Sequence, residues 1–103
     1  MADPTLLDKV RFSLRQTITT NANLNAELQR YIDAAVLDLQ NTTNVREFNA
    51  ESADALIQST IITYCHYMFE VDVEKKKQYK AMYDDLKTQI STSSAYSTLG
   101  GTT

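Results

Sequence analysis

At 103 residues the chain is long enough for one domain with a single core, and its 43% hydrophobic content is that of a folded protein, not a disordered one. A formal charge of -3 excludes the strongly basic surface that neutralising a nucleic-acid backbone requires. The single cysteine, Cys65, excludes an intrachain disulfide and a cysteine-built zinc site. No stretch has the apolar length of a membrane span, and the N-terminus lacks the apolar core of a signal peptide, so the expectation is a soluble protein made in a cytoplasm, with no membrane partner.

Both glycines, Gly100 and Gly101, fall at the end of the chain and the one proline is Pro4, which leaves a body suited to helices with short connections. Asp3 followed by Pro4 reads as a helix start, carboxylate at the N-cap and Pro at the first helical position. Leu6, Leu7, Val10 and Leu14 form one stripe, which ends near Arg15 or Gln16. Phe12 falls on the opposite face beside Lys9. It reads either as a tolerated exposed aromatic or as a partner contact.

Residues 17–23, TITTNAN, are β-branched and Asn-rich and read as a loop, with Asn23 as the next N-cap. A second helix follows over 24–39. Leu24, Leu28, Ile32, Ala35 and Leu39 line its buried face, flanked by Tyr31 and Val36. Leu37 points away, among Ala34, Asp33 and Arg30, and reads either as a surface leucine or as a seat for a neighbouring subunit. Residues 41–49 are polar except Val45 and Phe48, which are expected to pin a longer loop to the core. Asn49 or Ser52 is the expected cap of the next helix, with Glu51 and Asp54 favoured by its dipole.

Residues 54–70, DALIQSTIITYCHYMFE, are the most apolar part of the chain. At ~100° per residue, Ile57, Ile61, Tyr64, Cys65 and Met68 share a face that Ile62 and Phe69 widen. Ser59, Thr60, Thr63, His66 and Glu70 collect on the other side. A stripe this wide predicts a central helix covered by several neighbours. After a short turn, Asp72 caps a last helix over 73–91 with a narrow seam of Tyr79, Met82, Tyr83, Leu86 and Ile90. It opens on Lys75, Lys76 and Lys77, with Lys80 following, against its own dipole. These lysines read either as a solvated face or as a surface for an acidic partner. STSSAYSTLGGTT closes the chain without helical period and reads as a flexible tail whose only anchors are Tyr96 and Leu99. The fold expected is therefore all-α: a small bundle of about four helices in a domain of residues 1–91, with a flexible tail over 92–103.

Few groups converge for catalysis. His66, the only histidine, stands four residues before Glu70 and reads as half of a surface pair. Cys65 and His66 are adjacent, hence about 100° apart on a helix and poorly placed as nucleophile and base. Asp84 and Asp85 diverge for the same reason. No phosphate loop, Glu-x-x-His motif or Walker pattern is present. The reading is a non-enzyme with no catalytic residues, no cofactor and no metal.

Taken in order, LLDKVRFSLR, LNAELQRYIDAAVLDL, ALIQSTIITYCHYMF and KKKQYKAMYDDLKTQISTSSAY resemble the head–tail connector (adaptor, or DNA-packaging) proteins of tailed bacteriophages. The resemblance covers roughly residues 5 to 96. Its most specific part is YKAMYDDLKTQISTSSAY, a Tyr-Asp-x-x-Lys-x-x-Leu/Ile helix running into a Ser-rich stretch with a Tyr. NTTNVREFN departs from the family in lacking a glycine. The resemblance implies a virion protein, first made in the host cytoplasm, that forms a ring, usually dodecameric, beneath the portal protein. The ring extends the DNA channel, lets genomic DNA pass without sequence-specific binding, and presents a surface to the stopper or tail-completion protein. Phe12 and Leu37 then become candidate subunit contacts. Tyr96 and Leu99, or Lys75, Lys76 and Lys77, become candidate portal contacts. Two other classes stand beside this one: a small helical DNA-binding regulator, which would show salt-dependent DNA affinity, and a helical enzyme or cofactor bundle, which would need ligand pairs.

Overall fold

The computed structural model describes residues 5–14, 22–43, 51 and 53–92, and among these there are four helices and no strand. They are α1 (Leu6–Ser13), α2 (Ala22–Thr42), α3 (Ala55–Phe69) and α4 (Val73–Thr92). The protein is all-α, as its periodicity predicts. α3 is the central element and packs against each of the other three helices. At 15 residues it is roughly 22 Å long, about three-quarters the length of α4.

The core joins one face of each helix. Leu6 and Val10 from α1 meet Leu28, Ile32, Ala35 and Leu39 from α2, Ile57, Ile61 and Cys65 from α3, and Ile90 from α4. Fully burying a side chain such as Ile61 contributes about 1.5–3 kcal/mol. Two positions depart from the predicted faces. Thr60, placed by periodicity on the polar side of α3, is fully buried. Its hydroxyl donates to the Leu56 carbonyl at 2.7 Å, so no polar hydrogen is left unpaired and the methyl can pack. Met82, placed in the seam of α4, is half exposed. It lies about 100° from Tyr83, and α4 packs along the line from Tyr83 to Ile90, both buried.

The helix ends are set by caps that differ in part from those predicted. α1 is capped by Thr5. Its hydroxyl accepts the Asp8 N–H and its own N–H donates to Asp8, both at 3.1 Å, a reciprocal box that satisfies two orphan donors. Asp3 and Pro4 lie outside the described residues. α1 stops at Ser13, two or three residues short of the expected end. α2 begins at Ala22, so Asn23 sits within its first turn and does not cap it. It also runs three residues past Leu39. There the Thr42 hydroxyl donates to the Asp38 carbonyl at 2.7 Å and the Thr43 hydroxyl to the Leu39 carbonyl at 2.5 Å, side-chain bonds to the preceding turn, and the Leu39 carbonyl also accepts the Thr43 N–H at 3.1 Å.

α3 is capped by Asp54, whose Oδ1 accepts the Ile57 N–H at 3.1 Å. Asn49 and Ser52, the caps proposed from sequence, lie outside the described residues, as do Val45 and Phe48. Asp72 does cap α4, accepting the Glu74 N–H at 2.9 Å and the Lys75 N–H at 3.1 Å. α4 continues through Thr92, one residue beyond the predicted domain edge.

Candidate interaction surfaces

Phe12 and Leu37 stand where the helical period puts them. Phe12 is 61% exposed on the face of α1 opposite Leu6 and Val10, and Leu37 is 59% exposed on α2. Side chains of this size contribute little to the core from such positions, and they expose apolar surface on two different helices. Leu37 also borders a groove of about 460 Å³ shared with Ile32, Val36, Asp33 and Glu51. Periodicity predicts the exposed leucine, but not the groove, which depends on how residue 51 returns to α2.

The three lysines that open α4 divide. Lys75 and Lys77 are exposed, whereas Lys76 is partly buried. Its ammonium stands 5.2 Å from the centre of the Tyr67 ring and donates to the Glu70 carbonyl at 3.4 Å. A lysine in the first turn of α4 opposes that helix's dipole. The same group lies at the C-terminal end of α3, where a cation is favoured, and this offsets the penalty. Lys77 and Lys80 pair with Glu74 and Asp84 at 3.6 and 2.8 Å. Together Lys76, Lys77 and Lys80 rim a groove of about 440 Å³ whose wall includes Tyr67, Val73, Ala81 and Asp84. Tyr96 and Leu99 lie outside the described residues.

A third depression, of about 570 Å³, gathers residues from all four helices: Ser13 and Leu14, Glu27, His66 and Phe69, and Tyr79, with Glu70 and Val71 from the turn. His66 lies in it and is partly buried. Its Nε2 is hydrogen-bonded to the Ser13 hydroxyl and its ring is 4.9 Å from that of Tyr79. His66, paired with Glu70 by spacing, is hydrogen-bonded to Ser13, because α1 reaches the end of α3. Glu70 still acts on His66 through its charge. Burial lowers the imidazole's pKa below its ordinary value, against the opposing pull of Glu70. Glu27 accepts the Tyr31 phenol at 2.5 Å, which with burial pushes that phenol up to about 12.

Cys65 is fully buried, and burial pushes its thiol up to about 12, so it stays protonated at neutral pH and packs as a small hydrophobe. Among the described residues no group of His, Cys, Asp or Glu is arranged to hold a metal ion, and no helix is long and apolar enough to cross a membrane.

Sequence reasoning misses two polar residues that join helices, one buried and one partly buried. Arg11 is nearly inaccessible, paired with Asp8 and donating to Asn25 Oδ1 at 3.1 Å. Asp38 binds both Tyr83 and Lys87 across the α2–α4 contact. The Lys-Asp-Tyr composition of α4 hints at such a pairing, but only the packing of both α2 and α4 on α3 selects the partner. Comparisons with family models, curated proteins and solved structures gave no match to this chain.

Proposed function

We propose that this protein is a structural head–tail connector of a tailed bacteriophage. In this reading it assembles as a ring, dodecameric by resemblance, beneath the portal at the capsid vertex. The ring extends the DNA channel and joins the vertex to the stopper or tail. The residues that resemble the family span roughly 5 to 96, ending in YKAMYDDLKTQISTSSAY. The observation that carries the reading furthest is the pair of large apolar side chains, Phe12 and Leu37, exposed on two helices whose other faces form the core. A ring requires two different lateral faces repeated until the contact closes, and two separate apolar positions supply that asymmetry. The net charge of -3 suits a conduit through which DNA slides without binding.

The test is loading onto isolated portal rings, read by electron microscopy. The connector reading requires a defined ring of this protein at one end of the portal. A chain ending at Thr92 keeps α4 and removes Tyr96 and Leu99. Loss of loading by that chain assigns the portal contact to the tail, and wild-type loading assigns it to the Lys75–Lys77 surface. Failure of the full chain to load, combined with salt-dependent binding to duplex DNA, overturns the connector reading in favour of a helical regulator.

A further inference from the structure

The lysines of this chain are not spread evenly. Lys75, Lys76, Lys77 and Lys80 are four of its ten basic residues and stand within one six-residue span, and three of them line the α3–α4 groove against a single carboxylate, Asp84. The three that rim the α3–α4 groove surround an apolar wall made by the Tyr67 ring, Val73, which is 65% exposed, and Ala81. We propose that this groove docks an acidic segment of a partner protein, with carboxylates meeting Lys77 and Lys80 and an apolar side chain seated against Tyr67, Val73 and Ala81. The inference rests on the connector reading only in placing that partner within the same assembly.

Charge and shape together select this occupant. The ammonium groups of Lys77 and Lys80 are exposed and held only by single surface carboxylates, which an incoming carboxylate can replace or share. Ala81, small and exposed, leaves room in the lining for an incoming side chain. A nucleic-acid backbone fits less well. A long polyanion would extend beyond the groove over a chain in which acidic residues outnumber basic ones. A short acidic segment stays within the groove, where three lysines outnumber the one carboxylate of the lining.

The probe is a fluorescein-labelled peptide of Glu and Asp alternating with Leu and Phe, titrated with the full-length protein and followed by anisotropy. Saturable binding that weakens with added salt is expected. Lys77→Glu combined with Lys80→Glu should weaken it at least about tenfold, since each change removes an attraction and adds a repulsion. Ala81→Gln, which fills the groove without changing its charge, should weaken it too, with helical content unchanged. Absence of saturable binding overturns the proposal. So does equal affinity for the peptide with Gln and Asn in place of Glu and Asp, or tighter binding of duplex DNA lost in the same variants. Portal loading of the wild-type protein is scored separately, so failure of the connector reading is distinguishable from failure of the groove.

Discussion

The phenol of Tyr83 donates to Asp38 Oδ2 at 2.5 Å, joining α4 to α2 across 45 positions of sequence. Lys87 donates to the same oxygen at 2.9 Å, and its ammonium lies 5.0 Å from the centre of the Tyr83 ring. Burial alone would raise the Asp38 pKa, but the hydrogen bonds from Tyr83 and Lys87 and the lysine charge outweigh it and hold the carboxyl below its ordinary value. Burial, and then the bond to Asp38, push the Tyr83 phenol upward.

A carboxylate whose pKa is depressed by folding stabilises the fold above its unfolded value, about 3.9, and loses that contribution as the pH falls through the folded value. Tyr83→Phe should therefore destabilise by about 1.5–3 kcal/mol at neutral pH, the range for a hydrogen bond to a charged group. Partial exposure of Asp38 favours the lower end. The penalty should shrink once the solution is acid enough to protonate Asp38. Urea melts of wild type and variant at neutral and acid pH check this. An equal penalty at both would show that the Tyr83 hydroxyl contributes independently of the Asp38 charge.

Ile61→Asp should unfold the domain. Ile61 is fully buried at the centre of α3, the helix that all the others touch. An unpaired carboxylate there either stays charged in an apolar site or takes up a proton, and in both cases the penalty is several kcal/mol against a total stability of roughly 5–15 kcal/mol. Far-UV circular dichroism reads the outcome directly. A soluble Ile61→Asp variant with wild-type helical content would mean that α3 buries a different face.

The apolar skeleton was legible because helical burial repeats at a fixed interval. Leu28, Ile32, Ala35 and Leu39 announce their face without reference to anything outside α2, and so do Ile57, Ile61 and Cys65 on α3. Phe12 and Leu37 were legible as exceptions to the same rule. Polar partnerships were not, because their period is not local. Glu51 reads as an acid at the start of α3, yet its Oε1 accepts the Leu6 N–H of α1 at 2.8 Å. Which helix start receives it depends on α1 folding back beside α3. Spacing pairs His66 with Glu70, which acts on it through charge, while α1 supplies the hydrogen-bonding Ser13. The groove between α3 and α4 combines two helices, so the lysines were visible in sequence while their apolar wall was not.

Glu51→Ala should loosen the start of α1. The Leu6 N–H is one of the four that an α-helix cannot satisfy internally, and Glu51 places both an acceptor and a negative charge at that end. Beside it, Gln58 donates to the Glu51 carbonyl at 3.1 Å and accepts from Lys9 at 2.9 Å, which ties α1 to the start of α3. Removing the carboxylate should destabilise by about 1 kcal/mol, comparable to loss of a helix cap. It should also speed amide exchange at Leu6 more than at Ile61. Unchanged exchange at Leu6 would assign the cap to Thr5 and Asp8 alone.

Phe12→Ala and Leu37→Ala separate the domain's own stability from its assembly. Each side chain stands away from the core, so truncation leaves no cavity among Leu6, Val10, Leu28 and Ile32. The change in stability should stay within about 0.5 kcal/mol, the range for surface substitutions, which moves the melting temperature of a domain this size by roughly 2–4 °C. Assembly should respond differently. Truncating an apolar anchor at the centre of an interface commonly weakens it by 2 kcal/mol or more, about thirtyfold in affinity. In the connector reading a ring repeats the loss at every contact. Sedimentation velocity of the free protein and loading onto portal rings read the second effect, and thermal melts read the first. A drop in melting temperature well beyond 4 °C would place these residues in the core, and wild-type loading at unchanged stability would remove them from the subunit contact.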